Sequence, residues 1–172
     1  MKKLFLLICL LGISIPVLSF QNKESSTLIF IRHAEKADDG TSNPSLTKDG
    51  QARAERIEIF LKKTFKKIDA VYSTDYKRTL ETAQPSAMSF GLTVQKYNPR
   101  TPNVFLKTLI KDYSGKVVLI VGHSNTTPSL VNIILEEDRF KQLDESAYDE
   151  IFIVTASDIG KAKVELKSSA LK

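Results

Sequence analysis

Apolar runs and helical periodicities alternate along the chain from Thr27 onward. Short apolar runs predict strands, and apolar residues three or four positions apart predict helices. The predicted strands cover residues 27–31, 68–72, 93–97 and 117–121, and two more, over residues 150–155 and 162–166, form a hairpin around Gly160. The predicted helices are one that starts at Thr47, one over residues 77–88 that Pro85 bends or interrupts, one that ends at Gly115, and one from Pro128 to Leu135.

This order of elements predicts the fold class. The first strand is almost continuously apolar rather than alternating, which indicates a strand covered on both faces. Strands that alternate with helices form layered sheets. We therefore expect an α/β fold, a three-layer α/β/α sandwich whose sheet is mostly parallel with an antiparallel C-terminal edge. No repeat or low-complexity linker divides the chain, so we expect one domain over residues 25–168.

The first residues have the pattern of a secretory signal. Lys2 and Lys3 precede an uncharged apolar run over residues 4–18, and polar residues follow Phe20. The run is shorter than the roughly 20 apolar residues that a membrane-spanning helix needs. We expect a signal peptide over residues 1–19, an exported protein in the periplasm or outside the cell, and no stable membrane insertion after cleavage.

Composition and charge exclude several classes of protein. The 172 residues are 42% hydrophobic, which excludes disordered and collagen-like chains. The net charge is +5 and falls to +3 when Lys2 and Lys3 are removed with the signal. Without a basic run interleaved with aromatic residues, this charge does not indicate a nucleic-acid partner. Cys9, the only cysteine, lies within the signal, so thiol nucleophiles are excluded from the mature chain.

The chain has two histidines, and both follow predicted strands. Arg32 and His33 come directly after the first strand, Arg78 lies one helical turn beyond the second, and His123 follows the strand over residues 117–121. Ligands of parallel sheets bind beyond the carboxyl ends of the strands, so we expect these side chains to meet at one edge. Two arginines and two imidazoles suit a phosphate group, and a histidine nitrogen can act as a nucleophile.

Three segments resemble the motifs of the histidine phosphatase superfamily, also called phosphoglycerate mutase-like. They are Arg32-His33-Ala34-Glu35-Lys36, Ser73–Ala83 and Val121–Asn125, and Leu46–Ala54 is similar to the helix start between the first two. The resemblance implies a metal-independent phosphoric monoester hydrolase without cofactors. It also implies that His33 attacks phosphorus and becomes phosphohistidine, while Arg32, Arg78 and His123 bind the phosphoryl group.

Several assignments stay open at this point. Lys36 is either a further phosphate contact or a solvated lysine of the loop. Ser124 and Asn125 either bind substrate phosphate or cap the following helix. Ala34 replaces the glycine of the motif, which requires a backbone with negative φ at this position.

The proton donor for the leaving alcohol is not placed by the resemblance. Glu35, Asp39 and Glu81 are weak candidates, and for Glu35 and Glu81 a salt bridge to an arginine is the favoured interpretation.

Other functions were weighed against hydrolysis. Gly122–Thr126 is similar to a serine nucleophile elbow, but no histidine follows position 123 to act as its base. A metal site of both histidines with Asp38 or Asp39 lacks a closely spaced ligand pair. Mutase-type phosphotransfer and a catalytically weak or silent module that binds a phosphate ligand remain alternatives. The expected partner is a phosphorylated small molecule or glycan, and the oligomeric state is open.

Overall fold

The computed structural model describes residues 24–169, so the signal peptide expected over residues 1–19 lies outside the described part. Within that part, no helix has the length and apolar character to cross a membrane. The elements are β1 Ser26–Arg32, α1 Lys48–Thr64, β2 Ala70–Ser73, α2 Lys77–Ser89, β3 Val94–Lys96, α3 Pro102–Asp112, β4 Val117–Gly122, α4 Thr126–Leu135, β5 Glu150–Asp158 and β6 Lys161–Ser168.

The strands form one six-stranded sheet in the order β3-β2-β4-β1-β5-β6. Strands β3, β2, β4 and β1 are parallel, β5 pairs antiparallel with β1, and β6 pairs antiparallel with β5. This confirms the predicted mostly parallel sheet with an antiparallel C-terminal edge. The register places Arg32 opposite Gly122 and Ser73 opposite Val121, so the three motif-bearing strands end level with one another.

Helices cover both faces of the sheet, which confirms the three layers. On one face, α1 and α2 contribute Ile57 and Ala83 to a core that includes Ile29 and Ile31 of β1. On the other face, α3 and α4 contribute to a second core that includes Leu28 and Phe30 of β1. The helix residues in this core include Leu106, Leu109, Leu130 and Val131. Successive β1 side chains point into opposite apolar layers, so both the odd-numbered and the even-numbered positions of the strand are apolar.

Of the two outcomes expected at Pro85, a bend or an interruption of the helix, the interruption does not occur. Helix α2 runs from Lys77 to Ser89 with Pro85 inside it. An internal proline costs a helix about 3 kcal/mol, because one backbone hydrogen bond is lost and the ring meets the preceding turn. Ala83 and Ala87, on either side of Pro85, are fully buried against the sheet. We attribute the continuity of α2 to this packing.

Two local structures set the position of the loop after β1. The side chain of Thr47 accepts a hydrogen bond from the backbone N of Gly50 at 3.0 Å and caps α1, as expected for the start of this helix. Gly50 is buried, and a Cβ atom there would overlap the carbonyl of Glu35. The close approach of α1 to the loop therefore requires glycine at this position.

Between α4 and β5, residues 136–149 form an irregular segment that crosses the carboxyl edge of the sheet. Asn132 of α4 holds one part of it, donating to the carbonyl of Phe140 at 2.8 Å and accepting from the Phe140 N at 2.9 Å. The backbone N of Leu143 donates to the carbonyl of Ser124 at 2.9 Å. We call residues 136–149 the covering segment, because these bonds place it beside the ends of β1 and β4.

Candidate active site

A cavity of about 410 Å³ opens at the carboxyl edge of the sheet. The four residues predicted to meet there, Arg32, His33, Arg78 and His123, all line it. The other lining residues are Lys36, Tyr76, Pro99, Ser124, Asn125, Thr126, Gln142 and Glu145. The level ends of β1, β2 and β4 explain this convergence.

His33 is 3% exposed, and its ring is held in one orientation. Nδ1 lies 2.7 Å from the carbonyl oxygen of Ala34. Because a carbonyl only accepts, this contact assigns the proton to Nδ1 and leaves the lone pair on Nε2. Burial lowers the pKa of His33 to about 3; the bond to Ala34 opposes this, and the nearby His123 and arginines reinforce it. At neutral pH the imidazole is uncharged, with a nucleophilic nitrogen free.

His123 lies beside His33, with ring centroids 5.5 Å apart. Nε2 of His123 is 2.9 Å from the hydroxyl oxygen of Thr74, and Nδ1 is 3.5 Å from Nη2 of Arg78. A guanidinium only donates, so Nδ1 accepts from Arg78 and the Nε2 proton is donated to Thr74. Burial, followed by the charges of Arg78 and Arg32, lowers the pKa of His123 to about 4. Both imidazoles are therefore neutral in the free site.

Arg78 lines the cavity, and two of its donors lack a partner in the described part of the chain. Its Nε and Nη1 are buried without a hydrogen-bond partner among the described residues. The guanidinium carbon lies 4.6 Å from the ring centroid of Tyr76. Burial lowers the pKa of Arg78, the charge of Arg32 lowers it further, and Tyr76 opposes the shift.

Arg32 is 2% exposed and divides its donors between two tasks. Nη1 donates to three carbonyls of the covering segment, those of Asp144 at 2.7 Å, Glu145 at 3.3 Å and Ala147 at 3.0 Å. Nη2 donates to Oε2 of Glu145 at 2.9 Å. Nε is buried and, within residues 24–169, has no partner. Arg32 thus holds the covering segment in place and keeps one buried N–H without a partner among the described residues.

The free donors of Arg32 and Arg78 define an anion site. A buried donor left without a partner costs about 1–3 kcal/mol, and more when it is charged. A tetrahedral oxyanion would pair these N–H groups and neutralise the two guanidinium charges. The arrangement therefore combines an oxyanion cradle with a neutral nucleophile at its buried end.

The three residues predicted as further substrate contacts also line the cavity. Lys36 is exposed and also borders a neighbouring hollow of about 130 Å³. Asn125 is the N-cap residue of α4, and its side-chain oxygen accepts from the Thr126 N at 2.9 Å, which confirms the capping interpretation for this residue. Ser124 donates to Oε1 of Glu145 at 3.4 Å, so it is not the cap.

None of the three carboxylates considered as proton donors is among the residues lining this cavity. Glu35 pairs with Arg53 at 2.6 Å, which confirms its predicted salt bridge. Burial raises the pKa of Glu35, but the hydrogen bonds and charge of Arg53 hold that pKa below its usual range. Asp39 is exposed and bound by Thr41, which lowers its pKa.

The prediction that Glu81 pairs with an arginine was wrong. Its carboxylate accepts from the backbone N of Leu46 at 2.7 Å. That N–H belongs to the loop whose residues Leu46 and Lys36 form a β-bridge, so Glu81 stabilises backbone rather than a charged side chain.

The sequence analysis missed several residues at the cavity. Tyr76 stands inside the second motif, which was a usable signal. Gln142 and Glu145 belong to the covering segment, which has neither periodicity nor a motif, and no sequence signal pointed to them. Ala34, in place of the expected glycine, is not among the described residues with positive φ, so the substitution fits. No cluster of metal-ligating side chains occurs among residues 24–169.

Comparison with known proteins gives one family and many similar structures. Residues 28–98 match the family model of the histidine phosphatase superfamily (branch 1). No curated protein sequence matches the chain.

Three solved structures illustrate the likeness of fold. The protein histidine phosphatase SixA complexed with tungstate is 17% identical, with a TM-score of 0.69 over 83% of this chain and 97% of that one. A phosphoserine phosphatase mutant from Entamoeba histolytica, in complex with phosphoserine, is 16% identical, with a TM-score of 0.67 over 84% and 98%. A putative alpha-ribazole-5'-P phosphatase from Escherichia coli is 15% identical, with a TM-score of 0.69 over 87% and 99%.

Proposed function

The chain belongs to the histidine phosphatase superfamily, and we propose that it is a phosphoric monoester hydrolase that acts through a phosphohistidine on His33. The family and its phosphatase neighbours support phosphatase activity in general. The residue roles and the intermediate are our proposal. Its main support is one observation: His33, with Nε2 free of its Nδ1 contact, lines a cavity together with Arg32 and Arg78, which carry buried N–H groups without a partner among the described residues.

The proposed reaction has two displacements at phosphorus. Nε2 of His33 attacks, the P–N bond forms, and the bond to the leaving oxygen breaks, which gives an alcohol and phosphohistidine. Water then attacks the phosphohistidine, releases inorganic phosphate and regenerates the imidazole. Arg32 and Arg78 stabilise the charge on the transferring oxygens in both steps. Each displacement is completed without a metal ion or cofactor.

His123 has a separate proposed role in binding the phosphoryl group. It is neutral in the free site because burial and two arginines disfavour its charge. A bound dianion reverses the sign of the nearby charge and favours the protonated ring. His123 would then donate to a phosphoryl oxygen, with Lys36 and Ser124 as further contacts at the mouth.

The proposed substrate is a phosphorylated small molecule or glycan outside the cytoplasm. Structural neighbours include complexes with phosphoserine and 3-phosphoglyceric acid, and a glucosyl-3-phosphoglycerate phosphatase. Export rests on the signal pattern over residues 1–19. Cell fractionation with N-terminal sequencing tests it: a mature chain that begins after Ser19 outside the cytoplasm is expected, and an intact cytoplasmic chain would contradict export.

Turnover of an aryl phosphate by the purified protein tests the proposed function. We expect phosphate release by the wild type and a loss of more than about 10³-fold in kcat for His33→Ala, since the nucleophile is removed. Gln51→Ala, on the exposed face of α1, is the control and should retain full activity. Thermal unfolding of each variant shows that the fold is kept.

Two other outcomes separate the alternatives. Phosphate binding without any turnover by the wild type would favour the silent binding module. Transfer to an added alcohol in preference to water would favour mutase-type phosphotransfer.

A further inference from the structure

The cavity contains one carboxylate among the described residues that line it, that of Glu145. Oε2 of Glu145 lies 2.9 Å from Nη2 of Arg32, and Oε1 lies 3.4 Å from the hydroxyl of Ser124. The side chain is 71% exposed, whereas His33 is 3% exposed. Glu145 is therefore at the open mouth of the cavity, and the nucleophile is at its buried end.

This placement has a consequence for in-line displacement. The attacking and leaving oxygens or nitrogens lie on opposite sides of the transferring phosphorus. A phosphoryl group held on Arg32 and Arg78 with His33 below it directs the leaving oxygen toward the mouth. The covering segment brings the Glu145 carboxyl group to that side, within contact of Arg32, which also binds the phosphoryl group.

We propose that Glu145 is the proton donor to the leaving oxygen, an inference that rests on the proposed phosphatase function. In the first step, the P–O bond breaks, its electron pair goes to the leaving oxygen, and that oxygen takes the proton of the Glu145 carboxyl group. In the second step, the Glu145 carboxylate accepts a proton from the attacking water. The carboxyl group is thereby restored as phosphate leaves.

The proposed first step uses the carboxyl form of Glu145. Its side chain is 71% exposed, so solvent can supply the proton.

The dependence of Glu145→Gln on the leaving group tests this role. Substitution by glutamine keeps the size and the contact to Arg32 but removes the acid. With p-nitrophenyl phosphate, whose leaving group needs no proton, the rate of the first step, measured as the burst of p-nitrophenol before steady turnover, should stay within about threefold of the wild type. With an alkyl phosphate such as glycerol phosphate, kcat should fall by about 10²- to 10⁴-fold, the usual contribution of a general acid. Glu137→Gln, an exposed glutamate of the same segment, is the matched control and should change neither.

If Glu145 has only a structural role, the substitution should lower both rates equally. If Glu145 has no role, both rates should stay unchanged. Either result overturns the proposal. A wild type that hydrolyses the aryl ester but not the alkyl ester also overturns it, while the proposed phosphatase function stands. A wild type that hydrolyses neither ester rejects the phosphatase function itself.

Discussion

His33 is neutral and oriented because of its immediate surroundings. Burial removes the water that would stabilise a charged ring, and the Ala34 carbonyl fixes the proton on Nδ1. The same two effects leave the lone pair of Nε2 available at neutral pH, as the proposed nucleophilic role requires.

Titration of the two histidines tests this environment. The pKa values of about 3 and about 4 lie below the ordinary 6.5, so both rings should remain neutral as the pH falls from 8 to 5. NMR of imidazole C–H groups measures this directly, since the chain has two histidines and His33→Ala assigns the remaining one. Midpoints near 6.5 in the folded protein would contradict the account.

Protonation also links these histidines to stability. Their folded-state pKa values are lowered, so below pH 6.5 the unfolded chain binds protons that the folded chain does not. The free energy of unfolding should therefore decrease as the pH falls from 6.5 toward 4. Chemical denaturation at several pH values measures this, and the double variant His33→Ala, His123→Ala should show a smaller decrease. An equal decrease in the double variant would mean that other groups cause the pH dependence of the free energy of unfolding.

The covering segment and the strand ends depend on one another through Arg32. The Nη1 group of Arg32 is bonded to three of the segment's carbonyls, so this side chain has a structural role besides the phosphoryl-binding role proposed for it. Arg78 differs, because its Nε and Nη1 have no protein partner in the described structure. The two arginines should therefore respond differently to removal.

Alanine substitution separates these roles. Arg32→Ala should lower the free energy of unfolding by about 1–3 kcal/mol, because three carbonyls of the covering segment lose a charged donor. Arg78→Ala should leave stability unchanged or slightly raised, since unpaired charged donors are removed, and both variants should lose activity. Urea denaturation measures the stability of both variants, and aryl phosphate turnover measures their activity. Equal loss of stability in both variants would contradict the structural role of Arg32.

The elements that could be predicted from sequence are those with a periodic apolar face. Strands β1 and β4 and the start of α1 at Thr47 were predicted because burial and capping leave local signals. The covering segment could not be predicted as part of the site. Its position depends on Arg32 bonding to backbone carbonyls, and a carbonyl is present at every residue, so nothing marks residues 144–147. Glu81 was assigned an arginine for the same reason, since its real partner is a backbone N–H.

At the scale of the whole molecule, the sheet places the charges of Arg32 and Arg78 at one edge, where Glu145 of the covering segment pairs with Arg32. An oxyanion would bond to the arginine N–H groups that lack a partner within residues 24–169. The part of the site on the strands was predictable because parallel strands end at a common edge. The lining from Gln142 and Glu145 was not, because both lie in the covering segment, outside any strand or helix.

Oxyanion binding should stabilise the whole fold. Inorganic phosphate or tungstate at 100 times its Kd should add about 2.7 kcal/mol to the free energy of unfolding, which raises Tm by about 5–10 °C for a domain of this size. Differential scanning fluorimetry measures the shift, with chloride at equal ionic strength as the control. Arg78→Ala should abolish most of the shift, and an equal shift in that variant would place the anion elsewhere.

The most direct test of the central claim is to trap the covalent intermediate. Rapid acid-free quenching during turnover of an aryl phosphate, followed by peptide mass spectrometry, locates any phosphoryl group on the chain. We expect an acid-labile phosphoryl group on the peptide that contains His33, and none in His33→Ala. Phosphorylation of another residue, or turnover by the wild type with an unmodified His33 peptide at every quench time, would contradict it.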